Sequence, residues 1–155
     1  MEGKTHLNTG ILISLISLFL LGISTKTIFL SMVFLIGILF PDIDKMNSII
    51  GRKFKIIGFF FTHRGFFHSI YPVLISAYIL NFFNASIAIF FSLGYILHLI
   101  EDMFTKSGID LFMLGFRISG PLVVGSFTEK IVNLVILIIS SGLIIFLIKD
   151  LLFFF

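Results

Sequence analysis

The chain has 155 residues, of which 58% are hydrophobic and only 12% are charged, and its mean hydropathy is +1.17. Because a typical soluble domain carries about 25% charged residues, this composition excludes an ordinary soluble protein and predicts an integral membrane protein. We expect a single domain over residues 1–155. The net charge is a modest +3, and the absence of cysteine excludes disulfides and thiolate metal sites. Any metal ligand must therefore be His, Asp or Glu.

The first two predicted helices cover residues 6–23 and 26–40. A helix needs about 20 apolar residues to cross the hydrocarbon core, and the second helix stops at Pro41 because proline cannot continue it. The first apolar run also resembles a signal peptide. It lacks a small-residue cleavage site near residues 22–26, however, and it continues the pattern found downstream. We therefore interpret it as a membrane-spanning helix.

Three more helices are predicted over residues 65–83, 85–104 and 127–148. Residues 42–61 mix basic with apolar side chains and predict an interfacial amphipathic helix. Residues 105–126 contain four glycines and a proline, which indicates a loop or a partly re-entrant segment. Ser126 and Glu129 have the spacing of a capping box at the start of the last helix. The predicted fold class is all-α: a polytopic membrane helix bundle with about five transmembrane helices and an interfacial or re-entrant segment.

The histidines and most of the acidic residues fall on one face of the predicted bundle. Consecutive spanning helices alternate in direction, so the start of the first, the end of the second, the start of the third and the end of the fourth share a membrane face. The opposite face receives the turns at residues 24–26 and 81–84, which hold no histidine and no acid. The residues that gather on the first face are His6, Asp42, Asp44, His63, His68, His98, Glu101 and Asp102.

Such a cluster indicates a metal site. Ionisable groups at membrane depth are costly unless they are paired or ligated, and one cation can compensate several of them. His98 and Asp102 lie one helical turn apart on one face, while Glu101 sits at a neighbouring angle and is a candidate to support a ligand. If the chain after Pro41 is extended, Asp42 and Asp44 point the same way and can share a site. Alternatively, one of them ligates and the other orients a histidine.

The motifs also resemble a known family, from His6 to about Glu129. They are T-H at residues 5–6, P-D-I-D at 41–44, T-H-R-G-F-F-H-S at 62–69 and G-Y-I-L-H-L-I-E-D-M-F-T-K-S-G at 94–108. In combination they resemble the YdjM-type family, described as inner-membrane, LexA-regulated or LexA-binding proteins with an inferred metal-dependent hydrolase activity. The resemblance implies an inner-membrane hydrolase, with a LexA-type regulator as an implied partner.

The basic residues predict the orientation in the membrane. Nine of the 11 Lys and Arg residues fall on the side that carries the histidines, and only Lys26 and Lys149 fall on the other. Because positive residues favour the cytoplasm, we expect a multi-pass protein of the plasma (inner) membrane with a cytoplasmic N-terminus. This topological role already explains the basic residues, so no nucleic-acid partner is expected.

The predicted function is a metal-dependent hydrolase at the cytoplasmic membrane face, acting on a phosphoester or a lipid-linked substrate. We expect one or two divalent ions, zinc first because of the histidines, with manganese or iron as alternatives. Asp44 or Glu101 is the candidate general base, and Arg64 is the candidate group for stabilising anionic charge. The candidate metal ligands are His6, Asp42, His63, His68, His98 and Asp102.

Two other functions remain open at this stage. A transporter for metal ions or protons also uses intramembrane His and Asp, although such a path needs polar groups in both halves of the bilayer. A non-catalytic scaffold stabilised by metal is the third possibility. In that case the protein would fold with its ion but turn over no substrate.

Overall fold

The structure is a computed structural model that describes residues 1–153; residues 154 and 155, which the single-domain prediction includes, lie outside the described residues. The described chain is helical and contains no strand, so the all-α prediction is confirmed. The helices, in chain order, are α1 (Gly3–Leu21), α2 (Thr25–Leu39), a 3₁₀ helix (Phe40–Asp44), α3 (Lys55–Phe60), a second 3₁₀ helix (Phe66–His68), α4 (Ile70–Asn81), α5 (Ala85–Met103) and α6 (Phe127–Phe153).

Four helical segments within residues 1–153 are long and apolar enough to cross a membrane, namely Gly3–Leu21, Thr25–Asp44, Ala85–Met103 and Phe127–Asp150. The segment α4 is shorter than predicted. Its 12 residues span about 18 Å at 1.5 Å per residue, against a hydrocarbon core of about 30 Å. The predicted helix over 65–83 begins late because the chain turns at Arg64, which has a φ of 63°, and then passes through a 3₁₀ helix.

The helices α2 and α5 form the centre of the bundle and run parallel to each other. Their backbones touch at two glycines: a Cβ added to Gly37 would lie 2.1 Å from the Phe91 carbonyl oxygen, and one added to Gly94 would lie 2.1 Å from that of Phe34. Small residues at a helix crossing permit this approach. The close packing brings the end of α2 beside the last turns of α5, and this is where the predicted site residues lie.

The helix α6 packs against α1 and runs parallel to it. The side chain of Asn8 donates to that of Asn133 at 2.8 Å, and Phe19 meets Phe146 further along with 5.5 Å between ring centroids. Most of α6 is exposed, as expected for a helix whose other faces meet lipid.

The start of α6 is joined to the start of α1 through Glu129. Half of the predicted capping box forms, because the Glu129 amide donates to Ser126 Oγ at 3.3 Å. The Glu129 carboxylate does not complete the box. It accepts hydrogen bonds from the Glu2 amide at 2.6 Å, the Gly125 amide at 2.6 Å and Thr5 Oγ1 at 3.1 Å. It therefore fixes the N-terminal turn of α1, which carries His6.

Two loops complete the end of the bundle where the predicted site residues lie. In the predicted interfacial region, the α-helical part is α3, and its side chains Ile56, Phe59 and Phe60 are 73–77% exposed. Residues 105–126 fold back on themselves through paired backbone hydrogen bonds between Ile109 and Ile118, and Ile109 is fully buried in the core.

Candidate metal centre

The predicted site residues do come together at one end of the bundle. The helix α1 supplies His6, the first 3₁₀ helix supplies the two aspartates of P-D-I-D, and the segment before α4 supplies the T-H-R-G-F-F-H-S residues. The last turns of α5 supply the remaining three. The residues gathered there are His6, Asp42, Asp44, His63, Arg64, His68, His98, Glu101 and Asp102.

Three imidazole rings converge on the carboxylate of Asp102. The distances from its oxygens are 3.3 Å to Nε2 of His6, 3.6 Å to Nε2 of His68 and 4.0 Å to Nε2 of His98. All four side chains are at most 2% exposed. A tetrahedral zinc ion with bonds of about 2.0–2.1 Å separates its ligand atoms by about 3.4 Å, so this spacing is close to that of a zinc site.

The other nitrogen of each ring faces an acceptor. His98 Nδ1 donates to the Ile38 carbonyl at 2.7 Å, and His6 Nδ1 lies 2.5 Å from Glu101 Oε2. His68 Nδ1 lies 3.3 Å from Asp44 Oδ2. A proton on Nδ1 leaves the Nε2 lone pair directed towards Asp102. Acceptors that hydrogen-bond to the outer nitrogen orient metal-binding histidines in this way.

Several of these buried atoms have no hydrogen-bond partner within the described residues. They are His98 Nε2, both ring nitrogens of His68 and Asp44 Oδ2. A buried polar atom without a partner costs about 1–3 kcal/mol, and a lone pair that faces a carboxylate adds repulsion. A divalent cation would satisfy the Nε2 atoms and the carboxylate together. The nitrogen-rich donor set fits zinc in particular.

A second potential cation group adjoins the first. One potential ligand atom from each of Asp42, Asp44, His63 and His68 lies within 4.8 Å of the others. His63 is the outermost, with a 37% exposed side chain and its Nδ1 3.0 Å from Asp44 Oδ1. His68 belongs to this group and also contacts Asp102, so it links the two groups.

The two aspartates of P-D-I-D do not lie in an extended segment, so the condition under which they would point the same way is not met. Residues 40–44 form a 3₁₀ helix, in which side chains two positions apart point in different directions. The carboxylates nevertheless reach the same ring: Asp44 Oδ2 is 3.3 Å from His68 Nδ1, and Asp42 Oδ1 is 3.9 Å from His68 Nε2. This geometry favours the alternative in which one aspartate ligates and the other orients a histidine.

Two cationic groups also reach Asp102. Arg64 Nη2 lies 3.1 Å from Asp102 Oδ1, and its Nη1 donates to Thr105 Oγ1 and to the Gly108 carbonyl, both at 3.2 Å. The terminal amine of Met1 contacts the same Asp102 oxygen. These contacts hold the Arg64 side chain beside the cluster. The Arg64 backbone has a positive φ, a conformation that non-glycine residues adopt at a cost of about 1–3 kcal/mol.

Four groups that contact or support the site were not predicted from the sequence: the Met1 amine, the Ile38 carbonyl, the Thr105 hydroxyl, and the Glu129 carboxylate that holds the start of α1. Thr105 follows Asp102 by three residues and donates to its carbonyl at 2.7 Å, a spacing that the sequence displays. The Ile38 carbonyl had no signal, because any residue provides one. Which residues act as ligands stays a prediction.

Comparison with known proteins gives one family and one curated relative. The family model described as YdjM inner membrane protein matches residues 1–152. The chain is 35% identical over 141 residues to "Uncharacterized protein YvsG" of Bacillus subtilis (strain 168), covering 85% of this chain and 87% of that protein. No solved structure matches.

Proposed function

The chain belongs to the YdjM inner membrane protein family, and we propose that it is a membrane-bound metal-dependent hydrolase acting on a phosphoester or lipid-linked substrate. The observation that carries the proposal is the buried Nε2 of His98. His98 Nδ1 keeps its proton and donates it in a hydrogen bond to the Ile38 carbonyl, so the Nε2 lone pair faces Asp102 without a donor. A divalent cation at this point is the simplest way to stabilise both groups in a buried environment.

In this proposal, the ion would be held by Nε2 of the three buried histidines and by Asp102, with Asp42 as a further carboxylate. A zinc ion in such a site would supply an activated water molecule and polarise the bond to be cleaved. His63 and the Asp42–Asp44 pair mark where a second ion would bind. Manganese and iron remain alternatives where carboxylates dominate.

The residues around the proposed metal ligands have different roles. Glu101 and Asp44 contact Nδ1 of His6 and His68 and keep the Nε2 atoms aimed inwards. Either carboxylate is also a candidate general base, since a carboxylate within reach of an activated water can accept its proton. Arg64 keeps its guanidinium beside Asp102, where it would stabilise negative charge that develops on a phosphoester.

The site opens to the cytoplasm in this proposal, with the N-terminus on the same side. The excess of Lys and Arg at this end of the bundle supports this orientation through the positive-inside tendency. A site at the membrane surface is accessible both to headgroups of the bilayer and to soluble substrates.

The test measures metal content and turnover on the same samples. Elemental analysis of the detergent-purified protein is expected to find a bound divalent metal, which His98→Ala strongly reduces. Hydrolysis of generic phosphoesters and phospholipids is expected to require that metal and to be lost in His98→Ala and in chelator-treated wild type. A folded protein that keeps its metal and cleaves none of these substrates would favour the scaffold. Robust metal flux into proteoliposomes would overturn the hydrolase in favour of a transporter.

A further inference from the structure

A cavity of about 300 Å³ lies directly beside the metal centre. It is formed by the N-terminal segment and by the loop that follows the first 3₁₀ helix, and it is lined by both polar and apolar residues. Asp42 forms part of its wall, and the carboxylate of the same residue lies 3.9 Å from His68 Nε2. A ligand in this cavity would therefore touch the edge of the metal cluster.

Three cationic side chains line this cavity and come from two separate segments. Lys4 lies on α1, while Lys45 and Arg52 lie on the loop. Within residues 1–153, neither lysine nor Arg52 has a carboxylate within 4.0 Å of its charged nitrogens; Arg52 Nε donates to the Ser48 carbonyl at 3.2 Å. The opposing acids in the wall are Glu2 and Asp42. Once a divalent ion compensates Asp42, the cavity carries a clear positive excess.

The loop that presents two of these cations is held rigidly. Ser48 Oγ donates to the Asp42 carbonyl at 2.6 Å and accepts from the Gly51 amide at 2.8 Å. A Cβ on Gly51 would lie 2.1 Å from the Lys45 carbonyl oxygen, so the loop closes tightly on itself. A binding group held in this way loses less entropy when it meets a ligand.

The two other cavities at this end are less suited to an anion. One is lined by Arg64 and Arg117 with Asp110, but Arg64 already gives its terminal nitrogens to Asp102, Thr105 and Gly108. The other is lined by Lys45 and His63 with Asp44, among the aromatic side chains of α3 and its neighbours. Of these three cavities, the one between Lys4 and Arg52 brings together several cations that have no carboxylate partner among the described residues.

We propose that this cavity binds the phosphate group of a phosphoester through Lys4, Lys45 and Arg52 and presents it to the metal centre at Asp42. The assignment of this phosphoester as substrate rests on the proposed hydrolase function, whereas its binding does not. Lysine and arginine are the usual partners of phosphate, as point charges and as planar forks respectively. The phosphate comes either from a lipid headgroup or from a soluble ester, because both carry the same charged group.

Binding is tested with protein reconstituted in lipid nanodiscs. Inorganic phosphate and glycerol 3-phosphate are titrated into phosphatidylcholine discs, and discs that contain phosphatidic acid form the lipid arm. Lys45→Gln and Arg52→Gln are compared with Lys55→Gln, which removes a charge from the exposed start of α3 outside the cavity. The metal content of every sample is measured in parallel.

Each cavity variant is expected to weaken phosphate binding about tenfold or more, the effect of losing one charged hydrogen bond, while Lys55→Gln stays close to wild type. Cavity-dependent binding in the soluble arm assigns a soluble phosphate, and binding confined to phosphatidic acid assigns a headgroup. Equal weakening by all three variants, or no binding in either arm, overturns the proposal. If the protein is metal-free but binds phosphate in the cavity, the hydrolase proposal is refuted and the phosphate site stands. If the protein carries metal but does not bind phosphate, the phosphate site is refuted and the hydrolase proposal stands.

Discussion

Glu101 and Asp102 are neighbours in α5, and their carboxylates are expected to contribute unequally to metal binding. Among the residues that the structure describes, the polar contact of Glu101 Oε2 is with Nδ1 of His6, at 2.5 Å, so it would act on the ion through that ring. Asp102 lies within 4.0 Å of the Nε2 atoms of three histidines. We therefore expect Glu101→Gln to weaken metal binding and Asp102→Asn to remove most of it.

The expected magnitudes follow from these contacts. Gln can still accept a hydrogen bond from His6 Nδ1 but loses the negative charge that makes the ring more basic. Loss of such an outer partner typically weakens metal affinity about 10–100-fold, or about 1.4–2.7 kcal/mol. Asp102→Asn removes the central anionic ligand and also leaves Arg64 without its carboxylate. We expect a loss of more than about 100-fold there, with substoichiometric metal after purification.

Competition with a fluorescent zinc chelator in detergent measures both affinities. Asp110→Asn is the matched control: this carboxylate lies at the same end of the bundle, and its hydrogen-bond donors within residues 1–153 are the amides of Leu114 at 3.0 Å and Gly115 at 2.7 Å. It should leave zinc affinity unchanged. If Glu101→Gln were as damaging as Asp102→Asn, or if Asp110→Asn weakened zinc equally, the division between orienting and ligating carboxylates would be wrong.

Two further predictions concern the framework of the site. Gly94→Ala should lower the free energy of unfolding by at least about 1–3 kcal/mol, since the new Cβ would lie 2.1 Å from the Phe34 carbonyl oxygen and force α2 and α5 apart. A thermal melting assay checks this. Gly142→Ala is the control, because its Cβ would meet nothing within 4 Å and it should melt like the wild type. Glu129→Gln should destabilise the start of α1 by about 1.5–3 kcal/mol, because the hydrogen bonds lose their charged acceptor. Faster hydrogen exchange of the backbone amides near residue 5 is the expected result. Unchanged exchange would show that Glu129 does not hold the start of α1 in place.

The sequence was most informative about the fold where a single physical rule decides. Length and hydropathy identified the spanning segments, and Pro41 marked the end of α2 within about one residue. The shortness of α4 was not predictable from hydropathy, because residues 65–69 are as compatible with a helix as with a turn. The backbone at Arg64 decides between them. Likewise, Glu129 showed the capping spacing, but its bonds to Glu2 and Thr5 depend on a helix more than a hundred residues away in sequence.

The site, too, could be predicted from the sequence only in part, and its two pairs of acidic residues show why. In Asp42–Asp44 and in Glu101–Asp102, one carboxylate lies near a histidine Nδ1 and the other near an Nε2. Alternating helices predict that these groups share a membrane face, but they leave open which ring nitrogen each oxygen meets. That choice depends on ring rotation, which is set by packing and by contacts such as the Ile38 carbonyl. A metal-binding imidazole almost always has an acceptor near its outer nitrogen, so each ligating histidine leads us to expect a partner. The paired acids supply both kinds of oxygen from one short stretch of chain.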